Sequence, residues 1–376
     1  MTGGVRKRGK KWYYYFDAGI IDGKRKKVER VGGTTKKEAE NALRNAIAEF
    51  NSCGQILTES DINFSDYLDY WYNEYVLVNC KFNTQVSYKS AIENHIKPEL
   101  GIYKLKSLTP AKLQEFFNKK HMDGMAKQSL TKYKGILSLS LKMAVYPYQL
   151  IKESPLTYIK LPKSNKIKKD KKILSLDELE IILSKFPFGH RFHIPLQIAF
   201  HTGLRASEVC GLTWNNIDLE NKTLTVEKIL LTKNSSNFEF TSPKTTNSSR
   251  TIHIGDTLCN LLKKNKEWQE ENELKYGKFY NHSNKNYVCL DENGNFINTN
   301  KFKYLSYVVN KNLNIPFNFH MLRHTHATLL FENGANPKDI QERLGHSRID
   351  VTLNTYSHVT KKLKNETVDI FENAIN

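Results

Sequence analysis

Four separated stretches in the C-terminal half carry polar side chains of the types that handle phosphates. Thr202-Gly203-Leu204-Arg205-Ala206-Ser207-Glu208 puts Arg205 at a glycine turn that opens a helix, with Glu208 one turn later. Pro243-Lys244-Thr245 is a polar turn ahead of the strand-like Arg250-Thr251-Ile252-His253-Ile254. In His320-Met321-Leu322-Arg323-His324-Thr325-His326, His320 and Arg323 share one helix face. Leu344-Gly345-His346 is followed shortly by Tyr356. Two guanidiniums can hold the non-bridging oxygens of a phosphodiester and stabilise a pentacoordinate transition state. A lysine can protonate a leaving alkoxide, and a histidine can orient or deprotonate a nucleophile. A tyrosine can be that nucleophile and carry a covalent intermediate. No carboxylate cluster suited to Mg²⁺ accompanies them, so the pattern implies a metal-free route.

Each residue also has a plainer reading. Arg205 stands near a helix start, where cations are disfavoured, and that oddity favours a functional role. Lys244 shares a polar loop with Lys233 and reads alone as a solvated lysine. His320 and His324 have the four-residue spacing of a helical zinc pair. The Glu of H-E-x-x-H is missing, however, and no third ligand stands at a standard distance. His324 and His326 therefore read as packing or supporting groups. Tyr356 is one of 19 tyrosines, and only its place after Gly345-His346 singles it out.

Taken together, T-G-L-R-A-S-E (202–208), P-K-T-x-x-S-S-R (243–250), H-x-L-R-H-T-H-A-T (320–328), L-G-H-S (344–347) and N-T-Y-S-H (354–358) resemble the boxes of the tyrosine recombinases, in order and in spacing. The layout of the whole chain is similar to that of phage and conjugative-transposon integrases. The resemblance implies that Tyr356 attacks the scissile phosphate to give a 3′-phosphotyrosine and a 5′-hydroxyl. It implies that Arg205 and Arg323 clamp the phosphoryl oxygens and that Lys244 protonates the 5′ oxygen. His320 would be the acid/base group near the tyrosine, His346 would hydrogen-bond the phosphate, and Glu208 would orient Arg205 or hold its helix. Neither ATP nor a metal is required, because the phosphotyrosine retains the energy of the broken bond. The implied partners are double-stranded DNA at core-type and arm-type attachment sites and further copies of the chain in a tetramer. An excisionase and a host DNA-bending protein are candidate accessories.

The elements that must position these residues make an α+β, multidomain chain. Residues 1–58 read as a small β-sheet plus helix, the arm-binding domain of the resemblance. Lys11 to Ile21 is rich in β-formers, Asp22-Gly23 is a hairpin turn, and Lys24 to Val31 returns. Thr35 with Glu38 forms a capping box opening a helix to about Phe50. Arg6, Lys7, Arg8, Lys10 and Lys11 precede the first expected strand, and Lys24, Arg25, Lys26 and Lys27 follow the turn. This basic edge can enter a DNA groove as a β-ribbon. Residues 61–158 read as a helical domain, which the resemblance implies is the SAM-like core-binding domain. Its helices are expected at Asn63–Val78, Gln85–Ile96, a Pro110 start through Phe117, and Lys127–Val145, with a break at Pro98–Gly101. Residues 159–172 read as a basic linker, including Lys166, Lys168 and Lys169, with seven lysines between Lys160 and Lys172. Residues 173–376 form a mainly helical domain with one small antiparallel sheet. Its helices are expected after the Ser175/Glu178 capping box and at 192–201, 206–214, 257–275, 301–312, 320–333, 337–344 and 350–356. Its strands are expected at Thr223–Leu231, Asn237–Phe240 and Arg250–Ile254.

The charge fits this arrangement. Of 376 residues, 57 are Lys or Arg and 39 are Asp or Glu, a net charge of +18. Such a surplus implies a polyanionic partner. No apolar stretch is long enough for a membrane span, which leaves nucleic acid ahead of an anionic membrane. The five cysteines are scattered without a C-x-x-C pair, so a disulfide framework is not expected and a reducing cytoplasm fits best; the resemblance implies association with a bacterial nucleoid. Two other functions remain open at this level. A type IB topoisomerase uses the same chemistry, although it does not call for the N-terminal basic hairpin. A DNA-binding regulator without catalysis would not need all six polar residues.

Overall fold

The computed structural model describes residues 3–21, 24–53, 61–163, 172–233, 238–241 and 249–346. The chain divides into two compact units, Met1–Ile167 and Lys168–Asn376. Among the described residues, no helix is long and apolar enough to cross a membrane.

The first unit opens with three antiparallel strands, β1 (Gly3–Arg8), β2 (Lys11–Ile21) and β3 (Lys24–Gly33), with β2 in the centre. Alternation along β2 sends Tyr14 and Phe16 against helix α1 (Lys36–Cys53), where they pack with Ala46 and Phe50. The Thr35/Glu38 capping box is formed in both directions: each residue's backbone N–H donates to the other's side chain, both at 3.2 Å. Ile21 pairs with Lys24, as a two-residue connection requires. One expectation is corrected. Arg6, Lys7 and Arg8 do not precede the sheet; they lie within β1, paired with Tyr13, Trp12 and Lys11. Cationic β1 has no apolar alternation of its own, and it is held in the sheet by pairing with the aromatic β2.

Helices α2 (Phe64–Trp71) and α3 (Leu77–Asn79) are joined by a π-turn at Tyr72–Val76. In the same way a π-turn at Ile92–Ile96 joins α4 (Phe82–Ala91) to α5 (Lys97–Leu100). Pro98 therefore does not break the helix as expected. It stands in the first turn after the π-turn, where its missing N–H is least costly, and the helix ends at Gly101. α6 (Pro110–Met122) is capped by Thr109, whose hydroxyl accepts from the Lys112 N–H, and α7 (Lys127–Val145) crosses the same core. Trp71 lies at its centre, fully buried, with ring centroids of Tyr75 and Tyr88 at 5.9 and 6.2 Å. These aromatics form the core of the helical part. Its packing extends to Ile159 and Leu161, and Gln114 exchanges two hydrogen bonds with the Lys160 backbone. Lys166, Lys168 and Lys169 lie outside the described residues.

The second unit begins at α8 (Leu176–Lys185). Its Ser175/Glu178 capping box is complete, at 2.9 and 3.1 Å. Next come α9 (His193–Thr202), α10 (Ala206–Cys210), β4 (Ile217–Asp218), β5 (Thr223–Val226), β6 (Ile229–Thr232), β7 (Phe238–Thr241) and β8 (Arg250–His253). α11 (Asp256–Tyr276), α12 (Thr299–Asn312), α13 (His320–Glu332) and α14 (Pro337–Leu344) complete the described elements. Two expectations are corrected here. The helix from Ala206 stops at Cys210 rather than Trp214, because the following backbone pairs elsewhere: Leu212 accepts from Val288 at 3.0 Å and Trp214 donates to Asn286 at 2.8 Å. The single strand expected at Thr223–Leu231 is two strands in two sheets. β5 pairs with β4 and β8, while β6 pairs with β7. The helix expected at 350–356 lies outside the described residues.

Ser175→Ala removes the cap acceptor and is expected to lower the stability of this unit by about 1 kcal/mol in urea unfolding. An unchanged midpoint would show the cap to be redundant.

Candidate active site

Five of the sequence-selected residues gather where α9, α10, β8, α13 and α14 meet. α9 ends at Gly203, whose φ is 70°. A Cβ there would lie 2.6 Å from Leu344 Cδ2 and 2.8 Å from His326 Cδ2, so only glycine fits this turn. The turn places Arg205 as the N-cap of α10. Glu208 offsets that unfavourable position for a cation. Its carboxylate accepts the Arg205 backbone N–H at 2.9 Å and Nη1 at 2.7 Å.

Arg323, in the second turn of α13, is 2% exposed. Its Nη1 donates to the Gly203 carbonyl and its Nη2 to the Leu344 carbonyl, both at 2.8 Å. Arg205 Nη2 donates to the Gly345 carbonyl at 3.2 Å. Arg250, the first residue of β8, donates Nε–H to the Arg343 carbonyl at 2.7 Å and Nη2–H to Glu208 at 3.1 Å. Three guanidiniums thus grip three consecutive carbonyls at the end of α14. That end is a Schellman turn: Gly345 N–H bonds Glu342 and His346 N–H bonds Gln341, both at 3.0 Å. The helix end offers orphan carbonyls and the negative pole of the macrodipole, and both favour cations.

Glu208 is 2% exposed. Burial pushes its pKa up, but Arg250 and Arg205 overcome this and hold it below the usual carboxylate range. Arg343 points back into the domain, donating to His326 Nε2 at 3.0 Å, the His253 carbonyl at 2.9 Å and the His201 carbonyl at 3.2 Å. His326 Nδ1 lies 2.8 Å from the Phe200 carbonyl. One nitrogen therefore donates to a carbonyl while the other accepts from a guanidinium, which defines a neutral tautomer. Burial, then the Arg343 charge, pushes its pKa down to about 4. His346 is pushed further, to about 3, by burial and then by Arg323, Arg205, Arg250 and His320.

His346 lines a hollow of about 290 Å³ with Arg250, Lys338, Gln341, Glu342 and Gly345. His320 is exposed at the start of α13, its ring 4.7 Å from that of His324 and nearly perpendicular to it. Both line a second hollow of about 450 Å³. Lys244 and Tyr356 lie outside the described residues. Of the arm residues, Arg6, Lys7, Arg8, Lys10, Lys11 and Lys27 are exposed on or beside the sheet. Lys24, Arg25 and Lys26 belong to β3.

Sequence reasoning missed Arg250 and Arg343. Arg250 had a signal, since it closes the P-K-T-x-x-S-S-R box and starts a strand. Arg343 had none, because a basic residue in a last helical turn is ordinary. His326, read as a packing or supporting group, does support Arg343.

Comparison with known proteins yields three family matches along the chain. These are the phage integrase family over residues 173–362, the phage integrase N-terminal SAM-like domain over 63–121, and an arm DNA-binding domain over 5–50. A tyrosine recombinase XerC-like protein of Caldanaerobacter subterraneus subsp. tengcongensis is 33% identical, covering 90% of this chain and 89% of that protein. The ICEBs1 integrase of Bacillus subtilis is 29% identical over 80% of this chain and 81% of its own length. Among solved structures, the Tn1549 transposon integrase in complex with transposon right end DNA shares the fold. Its TM-score is 0.68 at 22% identity, over 82% of this chain and 100% of that one.

The neutral His326 makes stability pH-dependent. Below pH 6.5 the unfolded chain takes up a proton that the folded one refuses, so stability falls as pH drops from 6.5 towards 4. The expected loss from this one residue is about 3 kcal/mol across that window. His326→Gln keeps a donor and an acceptor but does not titrate, so it should flatten the slope in unfolding measured from pH 4 to 7.

Proposed function

The chain belongs to the phage integrase family of tyrosine recombinases, and from that premise we propose the following catalytic set and division of labour. Arg205 and Arg323 hold the non-bridging oxygens of the scissile phosphate. Tyr356 Oη attacks phosphorus, the P–O5′ bond breaks, and a 3′-phosphotyrosine forms. The tyrosine proton passes to His320, and Lys244 supplies the proton that the 5′ oxygen takes up. A 5′-hydroxyl of the partner strand reverses these steps and rejoins the DNA. The phosphotyrosine conserves the energy of the broken bond, so no nucleotide is consumed.

One observation carries this reading: Arg205 and Arg323, 118 positions apart by their numbering, converge on adjacent carbonyls of one helix end. Their donors are oriented before a phosphate arrives, which is the electrostatic preorganisation that phosphoryl transfer needs. Glu208 orients Arg205 through two hydrogen bonds. His346, kept neutral by burial and then by the surrounding cations, donates one N–H to a phosphoryl oxygen.

The remaining assignments extend the same reading. Residues 1–58 bind arm-type DNA, 61–158 bind the core site, 159–172 tether them to the catalytic domain 173–376, and four copies act on two duplexes. Two DNA-binding modules on one chain raise the effective concentration of the catalytic domain at its site. An excisionase and a host DNA-bending protein are the accessories this architecture would use, acting at the bacterial nucleoid.

Tyr356→Phe is expected to abolish the covalent adduct with a suicide duplex carrying the element's attachment site, and to leave DNA affinity nearly unchanged. Arg323→Ala should slow adduct formation by about a hundredfold or more. Denaturing gels read both, and an adduct surviving in Tyr356→Phe would refute the nucleophile. Deleting residues 1–55 should impair integration more than cleavage of an isolated core site. Equal loss of both would remove the arm-site role.

A further inference from the structure

The sheet face turned away from α1 carries an acidic residue in the middle of its cations. Tyr13 and Tyr15 of β2 lie on this face, because Tyr14 and Phe16 are buried against the helix. The strand register sets Gly4 and Glu29 on either side of Tyr15, and Arg6 beside Tyr13. A Cβ on Gly4 would lie 2.8 Å from the Tyr15 hydroxyl oxygen, so the glycine leaves room for the ring. The Arg6 guanidinium stands 5.4 Å from the centre of that ring, with the Lys27 ammonium at 5.9 Å. Glu29 reaches across the central strand and takes Arg6 in a two-pronged ion pair. Nε donates to Oε1 at 2.8 Å and Nη2 to Oε2. Arg8 Nη1 lies 3.6 Å from the same carboxylate.

A carboxylate here repels phosphates, so general DNA affinity does not explain it. What it does is immobilise a rotamer-rich arginine. With the Nε/Nη2 edge occupied, the guanidinium still presents its Nη1/Nη2 edge, and the Arg6 side chain is 47% exposed. Two parallel N–H donors on one edge match the O6 and N7 acceptors of guanine in the major groove. We propose that Glu29 is a specificity-determining residue, which holds Arg6 over Tyr15 so that Arg6 reads a guanine in arm-type DNA. This rests on the reading of residues 1–58 as a DNA-binding domain. Glu29 acts through Arg6 and is a positioning residue. By repelling the phosphate backbone it also weakens attachment to non-cognate duplex, which widens the discrimination further.

The test selects duplexes from a random-sequence pool with the full-length protein, its Arg6→Ala and Glu29→Gln variants, and an Arg6→Ala/Lys10→Ala/Lys27→Ala variant. All substitutions are at exposed side chains. Motifs bound by the rest of the chain serve as an internal control. The expected result is a motif whose guanine preference, about tenfold in the wild type, is lost in both Arg6→Ala and Glu29→Gln. Glu29→Gln should meanwhile bind unselected duplex as tightly as the wild type or more tightly. If Glu29→Gln keeps the guanine that Arg6→Ala loses, the positioning role is wrong and the DNA-binding reading stands. If Glu29→Gln binds unselected duplex more weakly, the repulsive role is wrong. If the triple variant changes neither affinity nor motif, the DNA-binding reading of residues 1–58 fails.

Discussion

The carbonyl oxygens at the end of α14 are the anchor on which the second unit depends. Arg250, Arg323 and Arg205 donate in turn to the carbonyls of Arg343, Leu344 and Gly345. Burying cations this deeply is unfavourable unless each finds hydrogen-bond acceptors. Among the described residues the cluster holds one buried carboxylate, Glu208, for these guanidiniums. The helix end supplies what Glu208 cannot: partial negative charge that satisfies the donors without neutralising the site. The guanidiniums are therefore held in place while their charge is not cancelled.

The same constraint governs the histidines. Burial, and after it the fixed positive charge nearby, holds both His326 and His346 in the neutral form. For His326 the neutral state is structural, because one nitrogen must accept from Arg343 while the other donates to Phe200. For His346 it leaves a neutral imidazole in place of a cation. The first unit uses charge differently. There the cations are exposed and spread along a sheet, and Glu29 interrupts them. Positive charge is thus held in two different ways in these two places. One is concentrated, buried and balanced by backbone dipoles, and the other is dispersed and solvated.

Elements defined by local signals could be read directly. The Ser175/Glu178 capping box, the α7 span Lys127–Val145 and the α14 span Pro337–Leu344 follow from caps, periodicity and a terminal glycine within a few residues of each other. Reading failed where distant backbone decides. The helix from Ala206 ends early because Leu212 and Trp214 pair with residues 286–288. The apolar run 223–231 splits because its halves find partners in different sheets. Pro98 is tolerated because a π-turn precedes it, and no propensity signals a π-turn.

The sequence by itself determined which chemistry was available. Arginines, a lysine, histidines and a tyrosine stand at ordered spacings, with glycines at the turns that present them. It also determined the family, because those boxes are short and contiguous. Tertiary structure alone decided how the charges are held. Arg250 meets Glu208 across 42 positions, Arg323 meets Gly203 across 120 and Arg205 meets Gly345 across 140. Short-range signals act through neighbours along the chain and leave a trace in residue order. A guanidinium's partner is set by which backbone oxygens folding brings within 3 Å or so of it. Backbone oxygens are the same in every residue, so no residue type records that pairing.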